Sequence, residues 1–266
     1  MSGFHPTAIV DSNAWIGSDV EIGPYCIIGE RVQIGDGCRL HSHVVIEGDT
    51  TIGQGCEIYP FACLGHIPQD LKFSGEQSKL VIGDNNRIRE YVTMNPGTEG
   101  GGFLTKVGSD GLYMAQAHVA HDCRIGNNVI LANSATLGGH CEVGDFAILG
   151  GLCAIHQFVR IGSHGFIGGM SGIENDIIPF GMAMGIRNGL SGLNLVGMKR
   201  QGFRREQIHT VRKAYQMLFA EEVGTLKERA EKVENIYSDD DCVMQIINFI
   251  KSDSSRSIAV PKQGTQ

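Results

Sequence analysis

The chain has 266 residues, a net charge of −7 and eight cysteines, enough length for one or two domains. The acidic balance argues against general nucleic-acid binding. The opening MSGFHPTAIV lacks the charged-then-apolar layout of a secretory signal, and no apolar run reaches membrane-spanning length, so a cytoplasmic protein without a membrane span is expected.

A beat of six residues starts at once. Val10, Ile16, Ile22, Ile28, Ile34, Leu40, Ile46, Ile52, Ile58 and Leu64 form an unbroken aliphatic column, with small residues such as Ala8, Ala14, Cys26 and Ala62 two places ahead. A period of six fits neither an amphipathic helix nor an alternating strand. It is the mark of a hexapeptide β-helix, whose three-sided coils of eighteen residues stack at a strand spacing of ~4.8 Å. Glycine often follows the aliphatic residue, as at Gly17, Gly23, Gly29 and Gly35, which suits a tight corner between sides.

Residues 65–81 leave the beat, which resumes in phase at Ile82, Ile88 and Met94. A polar excursion from a regular scaffold is a candidate binding loop, and Gln69, Asp70 and Lys72 are its chemical content. A second excursion, 95–106, shifts the phase by one. Its triplet Gly100–Gly102 lacks the Lys-Ser or Lys-Thr of a nucleotide loop, and a flexible loop reaching over a neighbouring surface is expected.

The beat then runs from Val107 to Ile173, with Tyr113 the one non-aliphatic stop. Six cysteines (Cys26, Cys38, Cys56, Cys123, Cys141, Cys153) occupy the small column, where Ala and Val also serve. They read as small buried hydrophobes, and no clustered pairs at ligand spacing suggest a metal. After Ile173 the beat fades, and the remainder reads as helical: Ile208, Val211, Tyr215, Leu218 and Phe219 keep three-four spacing, as do Val243, Ile246, Ile247 and Ile250. This divides the chain into a β-helix over 1–190 and a helical domain over 191–266, whose tail from Ser252 is expected to be poorly ordered. Lys199, Arg200, Arg204, Arg205, Arg212 and Lys213 make a basic run in an acidic chain.

The eighteen-residue rule puts His121, Gly139 and Gln157 in one vertical column and Asp122 under His140 in the next. His121 beside Asp122 has the form of a base with an orienting carboxylate, although the contact requires a bend at a corner. The Gly139 amide is a candidate oxyanion donor. A base, an orienter and an N–H suit acyl transfer between two bound substrates with no serine or cysteine nucleophile.

QDLK at 69–72, IGDNNRIRE at 82–90, LTKVGSD at 104–110, AHVAHDC at 117–123, HQF at 156–158 and GLNLVGMKRQGF at 192–203 together resemble the UDP-N-acetylglucosamine O-acyltransferase family that opens lipid A biosynthesis. The resemblance covers essentially the whole chain. It implies a left-handed parallel β-helix with a helical C-terminal domain, a homotrimer with sites between subunits, and no cofactor. It implies transfer of a (3R)-3-hydroxyacyl group from acyl carrier protein to the 3-hydroxyl of UDP-N-acetylglucosamine, or to a 3-amino analogue in some relatives. His121 matches the general base, with Asp122 orienting it and the Gly139 amide serving the oxyanion. Asp70 and Lys72 match loop contacts to the sugar and nucleotide, and His118, His140, His156 and Gln157 match contacts around the glucosamine and acyl chain. Asn194 and Arg200 match positions near the nucleotide, and Gly169 matches a hydrocarbon ruler whose glycine form leaves the acyl groove open to chains of about the C14 class. Where the family commonly has Gly-Asn and a basic residue, this chain has Gly185-Ile186-Arg187, and Arg187 receives no role. Because acyl carrier proteins are acidic, Arg204, Arg205, Arg212 and Lys213 are candidates for docking the donor.

Two rivals share the solenoid. The later N-acyltransferase of the same pathway carries an extra domain before its coils, whereas here the beat starts by Val10. A γ-type carbonic anhydrase would place zinc on histidines such as His118, His121 and His140, and would leave the QDLK loop and the basic segment unused.

Overall fold

The computed structural model describes residues 3–185, 189–220 and 224–261. Each coil side is a short strand, mostly of two residues, such as Ile9–Val10, Trp15–Ile16 and Glu21–Ile22. We call the faces begun by these three strands the first, second and third. Like strands stack into three sheets that are parallel but for one terminal strand. In the second face Lys106, Arg124, Glu142 and Arg160 pair in succession, each eighteen residues from the last.

Within a two-residue strand the first side chain points out and the second in, so the aliphatic column falls inside the prism, and Ile22, Ile28, Ile34 and Leu40 are at most 2 % exposed. Each such burial contributes roughly 1.5–3 kcal/mol. The small column lines the interior corners. There Cys26, Cys38, Cys56, Cys123 and Cys141 donate their thiols to carbonyl oxygens fifteen or more residues on. All eight cysteines are free thiols.

The expectation that glycines turn the corners requires correction. The left-handed backbone conformation falls two places later, on residues such as Asp19, Tyr25, His43 and Phe61. Gly17, Gly23 and Gly35 are needed for space: a Cβ there would come within 2.8 Å of backbone atoms of the next coil.

The excursions are insertions of defined length. Glu57 pairs with Arg87, thirty residues on, so the first adds two hexads to one coil. Arg87 pairs with Leu112, twenty-five residues on, so the second adds seven and shifts the phase by one. Leu190–Leu193 closes the third sheet antiparallel to Gly181–Ala183. Among the described residues four helices follow: α1 (Leu195–Arg200), α2 (Arg205–Phe219), α3 (Leu226–Tyr237) and α4 (Asp241–Lys251). Ile208, Val211 and Leu218 of α2 and Val243, Ile246, Ile247 and Ile250 of α4 are buried, as their spacing requires. His164 ties the domains together. Its ring stacks between Phe146 and Phe180 and meets Phe203 edge-on at 5.1 Å.

The tail expected to be poorly ordered packs back on the solenoid as far as it is described. Ile258 bridges to Asp176 in a parallel pairing, Asp176 donates its amide to Ser257 O, and Ala259 is 2 % exposed. Buried Asp176 supplies the acceptors that a composition-based reading of the tail does not include.

Tyr113 enters the aliphatic column because Gly111 leaves room: a Cβ at 111 would lie 2.7 Å from the tyrosine ring. The ring is fully buried, its hydroxyl has no hydrogen-bond partner among the described residues, and burial pushes its pKa well up. An unpaired buried hydroxyl costs roughly 1–3 kcal/mol. Tyr113→Phe is therefore expected to stabilise the chain by about 1 kcal/mol, read as a higher thermal midpoint. A lower midpoint would mean the hydroxyl is satisfied in solution.

Candidate active site

The corner between the first and second faces gathers the candidate catalytic residues. Asp122 sits there with φ of 61°, the bend that His121 and Asp122 need in order to meet. Nδ1 of His121 lies 2.8 Å from Asp122 Oδ2. The Asp122 side chain is 1 % exposed and that of His121 10 %. With the Nδ1 hydrogen on the carboxylate, the Nε2 lone pair of His121 is free to take a proton.

Gly139 lies one coil away under the His121 ring. A Cβ at 139 would stand 2.5 Å from Cε1 and 2.6 Å from Nε2, so only glycine lets the imidazole lie here. Among the described residues the Gly139 N–H meets no acceptor, and the next coil takes only its carbonyl, through the Phe158 amide. The amide is thus available beside the base. His140 stacks on Phe158 at 4.3 Å, meets the His121 ring edge-on, and holds Nε2 3.8 Å from Asp122 Oδ2. Burial lowers its pKa, while Asp70 and Lys72 of the first excursion both act on it electrostatically. His118 projects from the first face with Nδ1 2.7 Å from Thr93 Oγ1, and burial followed by the charge of His121 lowers its pKa too. Both rings are therefore neutral near pH 7.

The second excursion lies over the neighbouring coil and closes on Asp122 there. Thr98 donates its amide to Asp122 Oδ1 at 2.8 Å and its hydroxyl to Oδ2 at 2.6 Å. Thr105 Oγ1 accepts the Asp122 amide at 2.7 Å. At Gly101 any Cβ would overlap the carboxylate. The ordering force is the carboxylate itself, which needs donors once it is buried. Thr98 and Gly101 are neighbours of Asp122 that the period-six pattern does not reveal, because they lie off the beat and meet it from up to twenty-four residues away, whereas Thr105 holds a small-column position two places before Val107.

The remaining candidates fall into groups. Asp70 is half-buried, while Gln69 and Lys72 are exposed on the first excursion, which Asn95 anchors by donating to His66 O and Ile67 O. His156 and Gln157 continue the corner one coil beyond Gly139 and are exposed. Gly169 sits at a different corner, between the third and first faces, with an ordinary φ and only Gly151 O, at 3.2 Å, within 3.4 Å of a would-be Cβ. Asn194 caps α1, its Oδ1 accepting from Gly197 N at 2.9 Å while Nδ2 donates to His164 O. Its side chain is thus committed within the fold. Arg200 ends α1 and is exposed, as are Arg204, Arg205, Arg212 and Lys213 around α2. Arg187 lies outside the described residues.

His121, Asp122 and His140 offer ligand atoms within 4.8 Å of one another, the one grouping among the described residues that a metal could use. His118 is not part of it. A cleft of about 770 Å³ lies on the second face beneath α4 and does not include His121.

Comparison with known proteins bears on this geometry. A curated acyl-[acyl-carrier-protein]–UDP-N-acetylglucosamine O-acyltransferase of Rhizobium johnstonii is 45% identical over 260 residues, covering 98% of this chain and 95% of the relative. The chain belongs to that family. Its members carry out the first step of lipid A biosynthesis, and this chain is an O-acyltransferase of that kind. The Paracoccus denitrificans enzyme of the same name is 51% identical over 77% of each chain. A family model described as UDP-N-acetylglucosamine O-acyltransferase, domain 2, matches residues 176–259, and hexapeptide-transferase models match 13–48 and 31–66. Among solved structures, a UDP-N-acetylglucosamine acyltransferase superposes with a TM-score of 0.94 at 43% identity, covering 98% of this chain and 99% of that one. The Acinetobacter baumannii enzyme gives 0.90 at 41% identity, covering 96% and 99%.

The clasp on Asp122 makes a prediction for this O-acyltransferase. Thr98→Val keeps the shape but removes the hydroxyl that holds Oδ2. Hydrogen bonds to charged groups are worth roughly 1.5–3 kcal/mol, so kcat should fall about tenfold, and Thr98→Ser should restore most of it. Equal activity of the Val and Ser variants would show that the hydroxyl does not position Asp122.

Proposed function

We propose that His121 is the general base of the transfer. Its Nε2 removes the proton from the sugar 3-hydroxyl as that oxygen attacks the thioester carbonyl of the 3-hydroxyacyl donor. The Gly139 N–H donates to the developing oxyanion, and Asp122 stabilises the imidazolium. Collapse of the tetrahedral intermediate expels the carrier's thiolate, which takes the proton back from His121. A 3-amino acceptor would follow the same path. The observation that carries this reading is the Asp122–His121–Gly139 arrangement: a buried carboxylate fixes Nδ1, and Nε2 lies over a glycine whose amide has no acceptor among the described residues.

The neutral rings of His118 and His140, with Gln157, His156 and the loop residues Gln69, Asp70 and Lys72, are proposed to surround the sugar and the head of the acyl chain. Arg200 and the Asn194 segment are proposed to face the nucleotide. The donor is acidic, and α2 offers a cleft of about 570 Å³ lined by Lys199, Arg205, His209 and Arg212 over Phe203 and Ile208. We assign carrier docking to that face, together with Arg204 and Lys213. His121→Ala should lower kcat by on the order of 10²–10⁴ with the fold intact. Charge reversal at Arg205 and Arg212 should instead raise KM for the carrier alone, most at low salt. A His121→Ala enzyme with near-normal turnover would end the assignment.

A single chain leaves this site open, and its surface suggests what closes it. Outward side chains of the third face change from Glu21, Arg39, Glu57 and Arg87 to Leu112, Ile130, Ile148 and Phe166. The adjoining edge exposes Tyr25, Phe61, Tyr91, Leu152 and Met170, and Leu71 stands fully exposed on the first excursion. Apolar surface in this amount is characteristic of association. A homotrimer that packs the third face of one copy on the first face of the next buries it and walls the His121 corner. Closed cyclic symmetry leaves no unmatched face.

Gly169 lies on that apolar edge. Its backbone does not need glycine, and the space at its Cα is open but for Gly151 O. We assign it the role of keeping the acyl groove open to chains of about the C14 class. Gly169→Met should shift donor preference to shorter chains, at roughly 1–3 kcal/mol per methylene excluded, with short-chain turnover retained. A uniform loss across donor lengths would remove the ruler role.

A further inference from the structure

The chain's last described segment reaches the catalytic corner. Asp176, fully buried, accepts from the Arg160 amide and Nε at 2.8 Å each and from Ser254 Oγ at 2.6 Å. Asp176 N donates to Ser257 O, Ala259 N donates to Asp176 O, and Ser257 Oγ donates to Asn175 Oδ1. These contacts pin the segment on both sides of Arg256. The Arg256 side chain then extends to residues a hundred positions earlier. Its Nη2 lies 2.5 Å from His156 Nδ1, and its Nε lies 3.1 Å from Gln157 O.

His156 Nδ1 also lies 3.2 Å from Gln157 O, a bond it could make only as a donor, but the much closer guanidinium leaves no room for a hydrogen there. A guanidinium only donates and stays charged. His156 Nδ1 must therefore accept, which places the ring hydrogen on Nε2. The same fork holds the Gln157 carbonyl, so one side chain orients two successive residues of the corner. Arg256 is half-buried and starts from a backbone whose amide is itself bonded to Ser254 Oγ. The fork is thus held from behind before any ligand arrives.

We propose that Arg256 is a positioning residue of the active site: it locks His156 in the Nε2–H tautomer, so that His156 presents a fixed donor to an oxygen of the bound substrate. The proposal rests on the assignment above of His156 as a substrate contact. Without Arg256 the imidazole divides between two tautomers and is free to rotate, and the donor is no longer pre-formed.

The test is steady-state kinetics on the full-length enzyme with UDP-N-acetylglucosamine and a 3-hydroxyacyl carrier protein. Arg256→Met should raise KM for at least one substrate about tenfold, with kcat within about threefold of wild type. Arg256→Gln retains an N–H donor and should recover most of the loss. His156→Gln carries an amide donor near the Nε2 position and has no tautomer to lock. In that background Arg256→Met should change KM by less than about twofold, the non-additivity expected when one residue acts through the other. A full tenfold effect of Arg256→Met in the His156→Gln background would overturn the proposal and make Arg256 a structural strap. So would an unchanged KM in Arg256→Met while His156→Ala raises it. An unchanged KM in His156→Ala would instead overturn the assignment of His156, and leaves the two failures distinguishable.

Discussion

Everything in this molecule depends on one stacking relation, in which a residue lies over the residue one coil earlier at the spacing of neighbouring strands. That relation turns a period-six pattern into a continuous aliphatic interior. It also sets the distances at the catalytic corner. His121 reaches Gly139 because the two occupy the same place in successive coils, and His140 stacks on Phe158 for the same reason. The site is a short vertical strip of an otherwise repetitive edge, made special by which side chains occupy it.

The repetitive edge supplies positions, and the insertions supply the environment. Along the corner between the second and third faces, the exposed amides are closed by Asp36, Asp84, Asn127 and Asp145. At the His121 corner that service is absent at Gly139, and the free amide becomes an asset. Asp122 is buried, charged and beside a base, a combination that costs several kcal/mol unless donors are supplied. Thr98 supplies two of them from the second excursion, and Thr105 holds the Asp122 backbone by accepting its amide. The loop is therefore part of the setting of Asp122 even though none of its side chains is a candidate to touch substrate.

Much of this was legible in the sequence, and the boundary of legibility has physical causes. The core column was readable because each coil samples it three times. The His121–Gly139 and Asp122–His140 columns were readable because eighteen-residue arithmetic holds wherever no insertion intervenes. The corner glycines were misread because a glycine demanded by a close neighbour looks the same in sequence as one demanded by a left-handed φ. Thr98 and Gly101 were invisible because insertions carry no register. Asn194 was read by resemblance as a nucleotide contact, and its role as the cap of α1 depends on a helix start that the pattern did not delimit. The tail looked unstructured by composition, and its partners Asp176 and His156 lie about eighty and a hundred residues upstream.

The insertions also have a consequence for how such a chain can diverge. Twelve extra residues and seven extra residues both rejoin the solenoid in register, because the only demand on a loop is that its two ends flank one corner of a coil. Closing a longer loop costs little, about 0.6 kcal/mol for each doubling of length. Descendants of this chain can therefore exchange or lengthen the segments bordering the reactive corner while the aliphatic interior stays untouched. The scaffold behaves as a rail along which substrate preference is free to drift, with the Asp122 donors as the part of the cargo that cannot be unloaded.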